Sequence, residues 1–212
     1  RGKRLGLRAS VFAKVGDSNT EFSPNLYGLA CRQAKGLSPG LRRTLKEWNR
    51  VRLPNSQALP GCRPWTSFSR RSAAAQAGVF SSWSLTKVAD LPDSGYLKKP
   101  AGCALETTPL ECELDATRPR YALVMLGTND IGMDLAFGID PGSQIGKLLG
   151  GVILVLLARG VVPVLSTIPP VFPSNPAQQA VFDAGVARVN AGIWKLSRSS
   201  RLPVINLWRA FQ

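Results

Sequence analysis

A serine stands just past the end of a short apolar run near the start of the chain. Residues 11–15 read Val-Phe-Ala-Lys-Val and are followed by Gly16, Asp17 and Ser18. Open parallel sheets bind ligands beyond the carboxyl ends of their strands, so this serine is a candidate nucleophile. Backbone N–H groups of a helix beginning there would stabilise an oxyanion by roughly 3 kcal/mol per donor. The alternative is that Ser18 only caps the helix.

A second apolar run, which is also followed by a glycine and polar residues, lies in the middle of the chain. Residues 121–126 lead into Gly127, Thr128, Asn129 and Asp130. The carboxamide of Asn129 offers N–H donors without carrying a charge. It is therefore a second candidate for stabilising an oxyanion at a strand end.

The chain lacks the base that usually activates a serine. It contains no histidine, and an unassisted hydroxyl is a poor nucleophile at neutral pH. Lys14 is not placed to substitute, because it lies within the strand, four residues before Ser18.

Three short blocks resemble those of the SGNH/GDSL hydrolases, a family of serine esterases and lipases. Gly16-Asp-Ser18 is similar to the first block, with Asn19 where the leucine of Gly-Asp-Ser-Leu would stand. Residues 72–78 (Ser-Ala-Ala-Ala-Gln-Ala-Gly) resemble the block that contributes a glycine. Residues 127–130 match the Gly-x-Asn-Asp block. The blocks occur in the family's order, and the resemblance runs from about residue 11 to the last residue.

The resemblance implies a carboxylic ester hydrolase with Ser18 as the nucleophile. The implied oxyanion hole consists of the N–H groups of Ser18 and Gly78 and the side-chain amide of Asn129. The implied substrate is a small ester, a lipid or an acetylated carbohydrate, and no cofactor is expected.

Further positions are implied to support this site. Four that organise the strand ends are Gly16, Asp17, Gly127 and Asp130. Ser166 and Thr167, at the end of a later strand, are candidates to line the pocket. A simple turn before Pro169 is an equal alternative for these two residues.

The chain departs from the family at its C-terminus. The family's last block, Asp-x-x-His, follows the final strand and supplies the base with its orienting carboxylate. Here the strand at residues 202–207 is followed only by Trp-Arg-Ala-Phe-Gln. We expect the histidine to lie in sequence beyond residue 212, and the 212 residues alone to have little activity. The alternative is a non-catalytic carbohydrate- or surface-binding module on the same fold.

The apolar patterns predict a single domain over residues 1–212, a three-layer α/β/α sandwich with a parallel five-stranded sheet. The predicted strands are residues 11–15, 68–74, 121–126, 161–166 and 202–207. Apolar residues at helical spacing predict one helix from Pro141 to Gly160 and another capped by Ser174. A short helix is expected at residues 41–48, within two long loop insertions at 35–66 and 90–120.

The composition limits the kinds of binding partner that can be expected. The net charge of +14 is compatible with an anionic partner. We interpret the cations as scattered over solvated faces, and nucleic acid is not expected because no motif for binding it is present. Without histidine or a Cys-x-x-Cys pair, no metal site is predicted. The most apolar run, residues 148–158, is shorter than the ~20 residues that span a bilayer; the oligomeric state is open.

Four cysteines fall in irregular segments, at positions 31, 62, 103 and 112. An even number of cysteines in loops favours two disulfides, Cys103–Cys112 and Cys31–Cys62, and an oxidising compartment. On this basis the protein is expected to be extracellular or on the cell surface. The alternative is four reduced, buried thiols.

Overall fold

A computed structural model of the chain describes residues 2–22, 25–31, 34–54, 65–95 and 97–211. Its centre is a parallel sheet of four strands in the order β1-β2-β3-β4. The strands are β1 (Arg8–Gly16), β2 (Pro119–Met125), β3 (Val162–Ser166) and β4 (Val204–Ile205). The register pairs Gly16 with Met125 and Ser166 with Ile205, so the strands end at one edge of the sheet.

Seven α-helices surround the sheet in the described part of the chain. They are α1 (Ser18–Glu21), α2 (Gly28–Cys31), α3 (Pro39–Trp48), α4 (Pro109–Thr117), α5 (Thr128–Ala136), α6 (Ile145–Ala158) and α7 (Gln179–Ser200). The longest two carry the predicted apolar stripes, since Leu149, Val152 and Leu156 of α6 and Val189 and Ile193 of α7 are buried.

The strand β1 has both faces covered, as strands of parallel sheets usually do. Val11, Ala13 and Val15 are fully buried on one face, where α4, α6 and α7 contribute to the same core. Phe12 and Lys14 alternate with them and point to the other face. The predicted three layers are therefore present.

The second face carries an aromatic cluster. The ring of Phe12 lies 5.0 Å from Phe68 and 5.5 Å from Trp48, and Trp48 stacks on Tyr121 at 5.9 Å. Through Trp48 this cluster attaches α3 to the sheet.

Two predictions about the elements were wrong. Residues 68–74 form turns rather than a fifth strand, and among the described residues the pairing on this side of β1 is limited to a single bridge between Gly16 and Ala75. The segment is rich in Ser and Ala, which have little side-chain surface to pack in a strand. The supposed loop at 90–120 contains α4, which begins with a capping box of Thr108 and Glu111.

Helix boundaries also shifted by a few residues. The helix predicted from Pro141 begins at Ile145. A 3₁₀ turn, Pro176–Gln178, precedes α7. This turn is capped by Asn175, whereas the prediction had placed the cap at Ser174. The predicted strand at 202–207 is reduced to the two residues of β4.

One disulfide, Cys103–Cys112, ties the loop before α4 to that helix, as predicted. Cys103 packs on a small core of Val79, Trp83, Val88 and Leu91. The predicted Cys31–Cys62 bridge lies outside the described residues. Among the helices described, none has both the length and the apolar character needed to cross a bilayer.

Candidate functional site

Ser18 lies exposed just beyond the end of β1, as the first residue of α1. The preceding Asp17 is completely buried and caps α1 by accepting a hydrogen bond of 2.9 Å from the Asn19 N–H. The Ser18 hydroxyl makes no hydrogen bond to another described residue. The chain thus holds the serine at the carboxyl end of the sheet with its hydroxyl uncommitted.

Gly16 allows the chain to turn so sharply at this point. A Cβ at position 16 would lie 2.6 Å from the Met125 carbonyl oxygen and would also overlap the Thr20 hydroxyl. Only glycine fits between β2 and α1 here.

The block at residues 127–130 lies beside the serine. Gly127 has a φ of +123°, and a Cβ there would lie 2.7 Å from the Val189 side chain. The chain then enters α5 at Thr128, whose hydroxyl accepts a hydrogen bond of 3.3 Å from the Asn19 amide. Residues next to Ser18 and next to Asn129 are therefore in direct contact.

Gly78 is carried to the same edge by the segment that pairs with Gly16. The Gly16 N–H donates to Ala74 at 3.0 Å, and the Gly16 carbonyl accepts from the Gln76 N–H at 3.2 Å. Gly78 follows with a φ of +80°, which favours glycine. Its N–H makes no hydrogen bond to another described residue.

Two side chains of α5 hold the segment that follows Gly78. The Asn129 amide donates to the Val79 carbonyl at 2.8 Å and keeps a second hydrogen for another acceptor. The Asp130 carboxylate accepts from the Ser81 N–H at 3.1 Å and from the Ser81 hydroxyl at 3.0 Å.

Glu21 of α1 holds the segment on the other side of Gly78. Its carboxylate accepts a hydrogen bond of 2.5 Å from the Ala77 N–H and pairs with the Arg71 guanidinium. The sequence reasoning missed Glu21, Asn19 and Ser81. Nothing in the local sequence could identify them, because their partners lie 49 to 109 residues away.

Burial sets the electrostatics of the two aspartates. It raises the pKa of Asp17 to about 6, while the hydrogen bond from Asn19 acts in the opposite direction and the nearby Asp130 adds to the rise. Burial likewise raises the pKa of Asp130, against its hydrogen bonds from Ser81. Burial therefore disfavours the charged form of these two carboxyls, and the hydrogen bonds from Asn19 and Ser81 offset part of that cost.

Ser166 and Thr167 lie at the end of β3. The Ser166 hydroxyl, which is half-buried, donates to the Thr167 carbonyl at 3.0 Å. Thr167 is fully buried, and its hydroxyl accepts a hydrogen bond of 2.9 Å from the Trp208 N–H. Within the described residues, no group of three or more potential metal ligands is present.

Lys14 lies beneath the site in the second face of the sheet. Its ammonium donates to the Phe68 carbonyl at 3.1 Å and lies 3.6 Å from the centre of the Tyr27 ring. Burial lowers the pKa of Lys14 to about 7, against the attraction of Glu113. Glu113 itself is buried against Arg70, at 2.5 Å.

The fold is that of a parallel α/β domain, and the candidate site lies beyond the carboxyl ends of its strands, where such sheets bind ligands. The model of the GDSL-like lipase/acylhydrolase family matches residues 15–212. The chain therefore belongs to this family.

Solved structures show the same fold at low sequence identity. A lipase/acylhydrolase from Enterococcus faecalis is 15% identical with a TM-score of 0.53, over 94% of this chain and 76% of its own. A putative acylhydrolase from Bacteroides fragilis is 12% identical with a TM-score of 0.51, over 99% and 76%. A variant of an acetyl xylan esterase from Geobacillus stearothermophilus is 12% identical with a TM-score of 0.50, over 94% and 77%. A search of curated proteins found no significant match.

Proposed function

We propose that the chain is a carboxylic ester hydrolase in which Ser18 attacks the ester carbonyl. The observation that carries the proposal is the convergence of three segments at one sheet edge. Asn19 contacts Thr128, and Asn129 contacts Val79, next to Gly78. Since Ser18, Gly78 and Asn129 are each next in sequence to one of these contacts, we infer that their N–H groups surround the exposed Ser18 hydroxyl.

In the proposed reaction, the Ser18 Oγ forms a bond to the carbonyl carbon and its proton passes to a base. The carbonyl oxygen becomes an oxyanion, which accepts from the Gly78 N–H, the Ser18 N–H and the second hydrogen of the Asn129 amide. Collapse expels the alcohol, and water then cleaves the acyl-serine.

The 212 residues contain no histidine that could act as this base. No described side chain accepts a hydrogen bond from the Ser18 hydroxyl. We infer low turnover for this chain on its own and a faster reaction when imidazole is added as a base.

The acyl or alcohol part of the substrate is proposed to bind an open cavity of about 400 Å³ that Phe80 and Asp130 border, one residue after Val79 and Asn129. Apolar side chains, such as those of Phe137 and Leu148, supply most of its exposed lining, although charged side chains such as that of Lys147 also contribute. Such a volume lies within the range of small-molecule sites. A substrate with an apolar chain is therefore favoured over a bare acetyl ester.

The test is a stoichiometric reaction with a p-nitrophenyl alkylphosphonate, followed by intact mass and peptide mapping. A bond forms between the Ser18 Oγ and phosphorus, p-nitrophenolate leaves, and the Ser18 proton goes to imidazole. We expect one adduct, located on Ser18, and none in Ser18→Ala. Asn129→Ala should slow the reaction by roughly 10²–10³-fold, while Asn206→Ala, an asparagine just beyond β4 at the opposite end of the sheet from β1, should leave the rate unchanged. Hexylphosphonate should react faster than ethylphosphonate.

The absence of histidine favours a second candidate, a non-catalytic binding module on the same fold. A chain that stays unlabelled at Ser18 even with imidazole, or that is labelled equally on several serines, would contradict the hydrolase and favour this module.

A further inference from the structure

Most of the net positive charge arises in one stretch of sequence, because acidic residues are almost absent from it although cations occur along the whole chain. Residues 22–89 contain eleven Lys and Arg against a single acidic residue, Glu47, a net charge of +10 out of +14. The undescribed parts of this stretch contain no Asp or Glu. Such an asymmetry points to an anionic partner.

The helix α3 collects this charge on one face. Arg42 and Lys46 are one helical turn apart, about 6 Å along the axis. Arg43 lies beside them, and Arg50 lies two residues beyond the end of α3; all four are exposed. We call these four residues the α3 cation face.

The acidic residue next to the α3 cation face is Glu47, which lies four residues after Arg43 and next to Lys46. Within the described residues, none of the four members of the α3 cation face forms an ion pair. The carboxylate of Glu47 accepts from the Ser10 hydroxyl at 3.1 Å. Arg8 adds a further cation nearby, since its guanidinium donates to the Arg52 carbonyl at 2.9 Å.

The opposite face of α3 argues against two kinds of partner, single-stranded nucleic acid and a lipid surface. Trp48 is packed on Phe12 and Tyr121, so α3 offers no free aromatic ring on which a base could stack. The apolar face is turned toward the protein except for Leu41, which is 58% exposed. A helix that lies in a lipid surface instead buries its whole apolar face in the headgroup region.

We propose that the α3 cation face binds an anionic polysaccharide, whose carboxylate or sulfate groups repeat along a flexible chain. Arginine matches such groups with two parallel hydrogen bonds. The proposal stands apart from the ester site and does not depend on it.

The test compares two triple variants with the same net charge. One is Arg43→Gln, Lys46→Gln, Arg50→Gln; Arg42 is kept because its guanidinium also donates to the Leu37 carbonyl. The control is Lys195→Gln, Arg198→Gln, Arg209→Gln, three exposed cations that form no ion pair with another described residue. The probes are polygalacturonate and heparin, with duplex DNA and phosphatidylserine vesicles as alternatives.

We expect the α3 triple to bind polygalacturonate at least about tenfold more weakly, with a shallower salt dependence, and the control triple to change less than about twofold. In the unmodified protein, the polysaccharide should protect Lys46, but not Lys195, from acetylation; this readout does not depend on the variants folding. An equal loss in both triples, stronger binding to DNA or to vesicles, or no protection of Lys46 would each overturn the proposal.

Discussion

Replacing Lys14 with methionine should stabilise the protein at neutral pH, and the gain should shrink as the pH rises. The ammonium is buried, with one carbonyl acceptor and the Tyr27 ring as its partners. Burial lowers the pKa of Lys14 from 10.5 to about 7. Between these two values the unfolded chain holds a proton that the folded chain has lost, so wild-type stability rises with pH across that window.

The size of the effect follows from the pKa. At about 1.36 kcal/mol per pH unit, a fall from 10.5 to about 7 corresponds to roughly 5 kcal/mol of penalty, fully present below pH 7. Methionine fills similar space and contacts the Tyr27 ring favourably. Loss of the hydrogen bond from Lys14 to the Phe68 carbonyl offsets about 1–2 kcal/mol of the stabilisation gained by removing the ammonium. We expect a net gain of about 3 kcal/mol at pH 7, falling by about 2–3 kcal/mol by pH 9.

The assay is urea unfolding of Lys14→Met and of the wild type at pH 6.5, 7, 8 and 9. The chain has no histidine to titrate in this range. Lys195→Met, on an exposed part of α7, is the control for removing a lysine. If the free energy of unfolding of Lys14→Met exceeds that of the wild type by the same amount from pH 7 to pH 9, the pKa of Lys14 is not lowered by burial.

Three further substitutions test the framework of the site and its surroundings. Gly16→Ala should lower the free energy of unfolding by about 2 kcal/mol or more. Gly150→Ala, within α6, where nothing lies within 4 Å of the new Cβ, should instead raise it by about 0.5–1 kcal/mol; equal effects in thermal unfolding would contradict the close approach at Gly16. Glu21→Gln should slow phosphonylation at least about fivefold, because a neutral amide accepts the hydrogen bond from the Ala77 N–H less strongly. An unchanged rate would show that Glu21 does not position the segment that contains Gly78. Replacing Cys103 and Cys112 with serine should cost about 2–4 kcal/mol, and the denatured, unreduced wild type should show at most two free thiols; three or four would exclude the bridge.

The sequence predicted the parts of the site that depend on local pattern. Ser18 and Asn129 each follow a buried strand, and the carboxyl ends of parallel strands meet at one edge, so their proximity was predictable. Gly78 required the family resemblance, because residues 68–74 are not the strand that their pattern indicated.

The contacts that fix the site could not be predicted from local pattern. Asn19 with Thr128, Glu21 with Ala77 and Asp130 with Ser81 join segments far apart in the sequence. Periodicity describes one element at a time, whereas these hydrogen bonds depend on how several elements meet. The same holds for α3, whose helix was predicted but whose exposed, unpaired cation face was not.

The central claim, that Ser18, Gly78 and Asn129 form an oxyanion site, is tested most directly by a crystal structure of the phosphonylated protein. We expect phosphorus bonded to the Ser18 Oγ, with one phosphonyl oxygen about 2.7–3.1 Å from both the Gly78 nitrogen and the Asn129 side-chain nitrogen. A phosphonyl oxygen that faces solvent, or phosphorus bonded to another residue, would contradict it.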